Sequence, residues 1–158
     1  MLNSILFDRH WGELVYRLKY RADRAVIPNI IEVVIEFVNS WGIRPDVIVP
    51  MPPSKRRAFQ PVIEISSELA KALGTALNTS CLRKTRSTAQ MKDIGDFGAR
   101  VTALEGALTS DDTLAGKEVL LIDDLFQSGA SMNVAARILK HQGAAKLVYA
   151  LALTRTRN

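Results

Sequence analysis

Residues 119–131 of this chain read Val-Leu-Leu-Ile-Asp-Asp-Leu-Phe-Gln-Ser-Gly-Ala-Ser. The first four are apolar without alternation, which predicts a central strand covered on both faces of a sheet. Two carboxylates follow where the strand is expected to end, and a turn of small and polar residues comes next. The amphipathic stretch 132–142 predicts a helix directly after the turn. This order indicates an α/β domain with a ligand site at the carboxyl end of the strand.

The two carboxylates, Asp123 and Asp124, are suited to accept hydrogen bonds from neighbouring hydroxyls or to approach a hydrated Mg²⁺. Adjacent strand residues point to opposite faces, so both reach one ligand only if the chain turns at Asp124, as we expect. The turn at 127–131 leads into a helix N-terminus, where backbone N–H groups bind anions. A sugar phosphate fits both parts. The alternative is an acid pair that only caps the turn, and the small-residue turn and helix favour the ligand.

Apolar periodicity predicts further elements that alternate along the chain. Helices are predicted over 11–20, 26–41, 61–73 and 132–142, and strands over 47–49, 77–81, 104–109, 119–122 and 147–153. This alternation predicts a mostly parallel open sheet with helices on both faces. At 158 residues, the chain is expected to form one domain over 1–158.

Two further segments are candidates for contact with an anion. Residues 50–57, Pro-Met-Pro-Pro-Ser-Lys-Arg-Arg, follow a predicted strand and combine stiffening prolines with three cations. They suit a diphosphate bound by Lys55 and an arginine, and a solvated basic turn explains them equally well. Residues 83–100 are basic and show no periodicity. Such a connection is expected to close over a ligand, to remain an ordinary flexible loop, or to touch nucleic acid.

Composition limits the classes of function. A formal net charge of +5 and a pI of about 9.6 suit an anionic ligand, with nucleic acid as a less favoured partner. The single cysteine, Cys81, excludes an internal disulfide or a Cys-rich zinc site and fits a reducing compartment. Residues 1–10 are too polar for a signal peptide, and no apolar run approaches the roughly 18 residues of a membrane span. We therefore expect a cytoplasmic protein without a membrane partner.

Taken together, these residues resemble the type I phosphoribosyltransferases, and among them the competence-protein-F (ComF) group with its amidophosphoribosyltransferase-like members. The family hallmark of a hydrophobic strand, two acids and a Ser/Thr-Gly-x-Ser/Thr turn is found at 119–131. Weaker matches occur in the group's order at 18–21, 49–52, 57–60, Arg86, Thr88, Gln90 and 106–107. We expect no counterpart of the Cys-rich zinc module that often precedes this domain in the group.

The resemblance implies 5-phosphoribosyl-1-diphosphate (PRPP) and Mg²⁺ as ligands, with an unidentified nitrogenous base as acceptor. Asp123 and Asp124 would hold the ribose hydroxyls and meet Mg²⁺ only through ribose or water, and Arg86 would join them as a catalytic residue. Residues 83–104 would form a mobile hood. The 5-phosphate would lie on Gln127, Ser128, Gly129, Ala130 and Ser131, and the diphosphate on Met51, Pro52, Pro53, Ser54, Lys55 and Arg57.

The sequence also departs from the group's pattern. Gln127 replaces a hydroxyl residue common in the turn, Ala103 stands where Asn is frequent, and Leu108 where Phe is frequent. Turnover is therefore the open question, and the runner-up is a regulator of the same fold that senses PRPP or a nucleotide, or associates with nucleic acid. A homodimer is compatible with either. A phosphatase is disfavoured, because Leu125 rather than an acid stands two residues after Asp123.

Overall fold

The structure is a computed structural model that describes residues 2–4, 9–53, 58–86 and 96–155. In these ranges, a five-stranded parallel sheet has the order β1-β7-β6-β2-β3. Its strands are β1 (Leu2–Ser4), β2 (Val47–Pro50), β3 (Ala76–Leu77), β6 (Glu118–Phe126) and β7 (Leu147–Arg155). A small antiparallel sheet pairs β4 (Leu82–Lys84) with β5 (Leu108–Ser110). The helices are α1 (Arg9–Arg21), α2 (Ile27–Trp41), α3 (Pro61–Leu73), α4 (Phe97–Glu105) and α5 (Ala130–His141).

Apolar side chains on both faces of the central strands bury the sheet between two layers. On one face, Ile48, Leu120 and Ile122 pack with α1, α2 and α3. On the other face, Val119 and Leu121 pack with α5 and the small sheet. Because successive strand residues alternate between faces, a strand covered on both sides must be apolar throughout. The predictions of a covered central strand and of a parallel α/β sheet are confirmed.

The register of the sheet brings the ends of three strands to one edge. Pro50 at the end of β2 lies opposite Ile122 of β6, and Phe126 at the end of β6 lies opposite Arg155 of β7. Parallel strands share the direction of their carboxyl ends. The segment after β2 and the turn after β6 therefore leave the sheet at the same edge, as the sequence predicted.

Helix α1 is fixed to this sheet by a buried hydrogen bond. The indole Nε1–H of Trp11 donates to the Leu153 carbonyl of β7 at 2.6 Å, and Leu14, Val15 and Leu18 are buried on the same side of the helix. Lys19, near the C-terminal end of α1, lies beside Asp124 at the carboxyl edge of the sheet. None of the helices in the described ranges has the length and apolar character of a membrane span.

Three sequence predictions about the elements were wrong. Strand β6 continues through both acids to Phe126, so the chain does not turn at Asp124. The stretch 77–81 is not one strand: β3 ends at Leu77, and a turn follows in which the Asn78 side chain accepts the N–H groups of Ser80 and Cys81. The stretch 104–109 is likewise divided between the end of α4 and the start of β5.

Helix α4 lies where the sequence showed no periodicity. Asp96 caps its N-terminus by accepting the N–H of Ala99 at 2.8 Å, and Leu104 is its buried residue. An ion pair joins Glu105 of α4 to Arg137 of α5 at 2.5 Å. One buried side chain produces no readable stripe, so the helix depends on its cap and on contact with α5.

Candidate functional site

The two acids of β6 lie on opposite faces of the sheet. Asp124 lies on the same face of the sheet as Leu120 and Ile122. Its Oδ2 lies 2.8 Å from Nζ of Lys19 on α1. Its main-chain carbonyl accepts the hydroxyl of Thr154 on β7 at 2.7 Å. Asp123 lies on the opposite face of the sheet, with Val119 and Leu121. The acids therefore flank the end of β6 from two sides, because the strand continues through them instead of turning.

Asp123 is the electrostatically perturbed member of the pair. Its Oδ1 accepts the backbone N–H of Asp124 at 2.8 Å. Burial, and secondarily the charge of Asp124, raise the pKa of Asp123 to about 7, against the opposing charges of Lys19 and Lys84. Burial in turn lowers the pKa of Lys84, and the charge of Asp123 opposes that shift. Near neutral pH this carboxyl group is divided between its two protonation states, so it can donate or accept a hydrogen bond.

The turn after β6 presents the features of an anion site. Gly129 has a φ of +75° and caps α5, while Gln127, Ser128 and Ser131 are exposed. A Cβ on Gly129 would lie 2.8 Å from the ring of Phe126. Glycine is thus required here for both its backbone conformation and the space that the ring occupies. The N–H of Ala130, the first residue of α5, donates to the hydroxyl oxygen of Ser128 at 3.4 Å, and the next N–H groups have no partners inside the helix.

Arg86 is held at the base of the segment predicted to be a hood. Its Nε–H donates to the carbonyl of Gly106 at 3.1 Å, and the hydroxyl of Thr85 donates to the same oxygen at 3.2 Å. A Cβ on Gly106 would lie 2.5 Å from Nη2 of Arg86, so glycine permits this approach. The described parts of 83–104 belong to the end of β4, the residues that follow it and most of α4. Thr88 and Gln90 lie outside the described residues.

The segment after β2 is described only in its first half. The N–H of Met51 donates to the Ile122 carbonyl at 2.8 Å, and the Met51 side chain is buried in the core. Of the predicted diphosphate ligands, Met51 therefore has its backbone N–H bound within the sheet and its side chain in the core, so it has no free donor for an anion. Pro52 is half-buried and Pro53 exposed at the edge. Ser54, Lys55 and Arg57 lie outside the described residues.

Sequence reasoning missed three cations at this edge. Lys19 forms an ion pair with Asp124, and the charge of Lys84 lowers the pKa of Asp123. The Arg155 guanidinium lies 5.7 Å from the Phe126 ring centroid. They come from three separate elements, and only the tertiary fold brings them together. The sequence signal for Lys19 was its place in the matching stretch 18–21, and that for Lys84 was the basic segment 83–100; Arg155 had none.

The carboxylates can contact Mg²⁺ but do not form a cage for it. Among the described residues, no group of three or more His, Cys, Asp or Glu side chains is arranged to hold a metal. Mg²⁺ commonly keeps most of its waters and binds through one or two carboxylates plus phosphate oxygens. Either Asp123 or Asp124 fits an ion of this kind, carried by an anionic ligand.

Comparison with known proteins identifies the family of the chain. Residues 19–157 match the family described as the phosphoribosyl transferase domain. The chain is 27% identical over 148 residues to the competence protein ComFC of Bacillus subtilis (strain 168), a match covering 91% of this chain and 59% of that protein. The chain thus spans less than two thirds of this relative.

Several solved structures share the fold. The glutamine PRPP amidotransferase of B. subtilis superposes with a TM-score of 0.56 at 18% identity, over 82% of this chain and 27% of that one. The orotate phosphoribosyltransferase of Aeropyrum pernix gives 0.54 at 17% identity, over 85% and 62%. The adenine phosphoribosyltransferase of Saccharomyces cerevisiae gives 0.51 at 15% identity, over 84% and 71%. At these identities the likeness establishes the fold.

Proposed function

The chain belongs to the phosphoribosyltransferase domain family, and from that premise we propose that it binds PRPP with Mg²⁺ and transfers the phosphoribosyl group to a nitrogenous acceptor. Within the type I superfamily it belongs to the ComF-like branch. The observation that carries the proposal is the carboxyl end of β6, where two acids, a left-handed glycine turn and a helix N-terminus follow one another. A sugar phosphate matches these features, because its hydroxyl groups suit the acids and its phosphate suits the turn and the helix N-terminus.

In this proposal the ribose lies across the carboxyl edge of the sheet and its hydroxyls bind the acid pair, and one carboxylate must swing towards the other because strand β6 places the two acids on opposite faces without ligand. Asp123 is half-buried and lies on the face that also carries Lys84, so its ionised form accepts one hydroxyl. Asp124 accepts the second hydroxyl when its carboxylate turns from the Lys19 ammonium, which lies 2.8 Å away without ligand. The Lys19 ammonium and the hydroxyl thus compete for the same carboxylate.

The 5-phosphate binds in the turn at 127–131. Support comes from the exposed side chains of Gln127, Ser128 and Ser131, which can donate hydrogen bonds, and from the N-terminus of α5. The left-handed Gly129 lets the backbone approach the anion without a side chain in between.

The reaction is displacement at C1 of the ribose. The acceptor nitrogen forms a bond to C1 while the C1–O bond breaks, the electron pair leaves with diphosphate, and the proton of the acceptor N–H passes to water. The ribose acquires oxocarbenium character, which the carboxylates of Asp123 and Asp124 stabilise. Arg86 and the segment after β2, including Lys55 and Arg57, neutralise the leaving group. Mg²⁺, when bound, supplies further neutralisation of the diphosphate charge.

The direct test is calorimetric titration of the full chain with PRPP, with and without Mg²⁺. We expect saturable, Mg²⁺-dependent binding, and at least a tenfold loss of affinity in the double variant Asp123→Asn, Asp124→Asn, because two charge-assisted acceptors are removed. Circular dichroism verifies that the variant is folded. Binding by the folded double variant equal to that of the parent contradicts the assignment of the acids.

A second candidate function is PRPP sensing without turnover. The observation that favours it is Lys19, which occupies Asp124 in the structure, together with a sequence relative named as a competence protein rather than a transferase. Diphosphate release from PRPP with a panel of bases separates the two functions. Release supports the transferase, while Mg²⁺-dependent binding without release from any base supports the sensor.

A further inference from the structure

The last residue of β7, Arg155, places a cation at the carboxyl edge of the sheet. It lies opposite Phe126, the last residue of β6. The preceding residue, Thr154, donates its hydroxyl to the carbonyl of Asp124 at 2.7 Å, so this end of β7 is held against the end of β6. The Arg155 side chain is exposed. Within the part of the chain that the structure describes, no carboxylate forms an ion pair with it.

The ring of Phe126 connects Arg155 to the turn after β6. The guanidinium carbon of Arg155 lies 5.7 Å from the centroid of this ring. A Cβ on Gly129 would lie 2.8 Å from the same ring, so the cation and the glycine of the turn are both neighbours of Phe126. The contact between a guanidinium and a ring uses no hydrogen bond, and the N–H groups of Arg155 therefore remain available for an anion.

The turn at 127–131 supplies hydrogen-bond donors but no cationic side chain. Its polar residues are one glutamine and two serines, which are neutral. The N-terminus of α5 adds the equivalent of roughly half an elementary charge. A phosphate monoester carries roughly −1.5 to −2 charges near neutral pH. A phosphate bound in the turn would therefore be only partly neutralised by the turn itself.

Two other cations of this edge already act on the acid pair. The ammonium of Lys19 lies 2.8 Å from Oδ2 of Asp124, and the charge of Lys84 lowers the pKa of Asp123. Arg155 has no such carboxylate among the described residues, so its charge is available to a ligand. A guanidinium can also donate two parallel N–H bonds to one phosphate group.

We propose that Arg155 binds the 5-phosphate of the ligand from the β7 side of the turn, with its guanidinium placed by the ring of Phe126. Arg155 then contributes the positive charge that the turn lacks and favours a phosphorylated ribose over the free sugar. This inference rests on the proposed function, because it adds a residue to the recognition of the same ligand.

The test titrates the full chain with PRPP and Mg²⁺ in the absence of an acceptor, so that no transfer takes place. Arg155→Gln should weaken PRPP binding by about tenfold or more, because a hydrogen bond between two charged groups is lost. Ribose 5-phosphate, which has the same 5-phosphate without the diphosphate, should lose affinity by a similar factor. Arg155→Lys, which keeps the charge but not the planar fork, should lie between the parent and Arg155→Gln. The control Arg44→Gln removes an exposed cation ahead of β2 and should bind PRPP normally.

Inorganic diphosphate with Mg²⁺ distinguishes a local contact from a general loss of positive charge. It lacks the sugar phosphate, so Arg155→Gln should bind it as the parent does, and circular dichroism verifies that each variant is folded. If Arg155→Gln binds PRPP as well as the parent, or loses diphosphate and PRPP to the same extent, the inference is overturned and the proposed function stands. An equal loss of PRPP affinity in Arg44→Gln overturns it as well. A parent that binds no PRPP overturns the proposed function and this inference together.

Discussion

Replacing Asp123 with asparagine should stabilise the unliganded protein at neutral pH, although it removes a residue of the candidate site. The pKa of this carboxyl is raised from its ordinary 3.8 to about 7, with burial as the first cause and the charge of Asp124 as the second. An acid whose pKa is raised by folding favours the folded state below the unfolded value of 3.8. That contribution is lost as the pH rises towards 7, because the unfolded chain ionises more readily.

The magnitude follows from the size of the shift. Each pKa unit corresponds to about 1.4 kcal/mol, so full ionisation of Asp123 lowers the free energy of unfolding by up to about 4 kcal/mol above pH 7. Asparagine retains an Oδ1 that can accept the N–H of Asp124, and the attraction to Lys19 and Lys84 that it loses is already included in the raised pKa. We therefore expect a net gain of about 2–4 kcal/mol at pH 8 and almost none at pH 3.5.

Urea unfolding of the parent and the Asp123→Asn variant, at intervals from pH 3.5 to pH 8 without ligand, measures this gain. The matched control is Asp112→Asn, which removes an exposed carboxylate and should not reproduce the gain in stability at pH 8. A gain for Asp123→Asn that does not increase between pH 4 and pH 7, or a variant less stable than the parent at pH 8, would refute the reasoning.

Two further substitutions test the same edge of the sheet. Gly129→Val should abolish PRPP binding in calorimetry, because a branched side chain at φ +75° would overlap the Phe126 ring, which lies 2.8 Å from the position of a Cβ. The control Gly42→Val, at φ +72° with open space around it, should bind PRPP normally. Unchanged PRPP affinity in Gly129→Val argues against the turn as the phosphate site. Lys19→Met should raise the pKa of Asp123, since the Lys19 charge lowers it. The pH at which PRPP binding is half-maximal should then shift upward, with Lys19→Arg as the charge-retaining control; a downward shift contradicts the assignment.

Local sequence patterns predicted the helices and strands that are buried by the core. The run 119–122 is apolar throughout because both faces of β6 are covered, and the end of α3 was readable from Gly74, which adopts the left-handed conformation of a C-terminal cap. The length of β6 was not readable. Leu125 and Phe126 extend the strand because Thr154 and Arg155 of β7 pair with them, and pairing between distant segments leaves no local signal.

The candidate site was predictable only in part for the same reason. The acids and the turn at 127–131 are contiguous, so their order in the sequence revealed them. Lys19 precedes Asp124 by more than a hundred residues, and it reaches the acid because Trp11 fixes α1 to β7. Helix α4 was missed because one buried residue, Leu104, does not make a pattern. Residues that act on the site from other elements could be found only from the fold.

The ionisation of Asp123 bears on whether the acid pair serves the fold or a ligand. An acid retained only to cap a turn accepts N–H groups in its charged form, which lowers its pKa and stabilises the folded protein. Asp123 accepts one such N–H, yet burial and Asp124 outweigh it and the pKa rises. Its charged form therefore destabilises the unliganded fold at neutral pH. A residue with that effect is better explained by a ligand whose hydroxyls stabilise the charge than by a structural role, and this is why the stability of Asp123→Asn and its PRPP affinity should change in opposite directions.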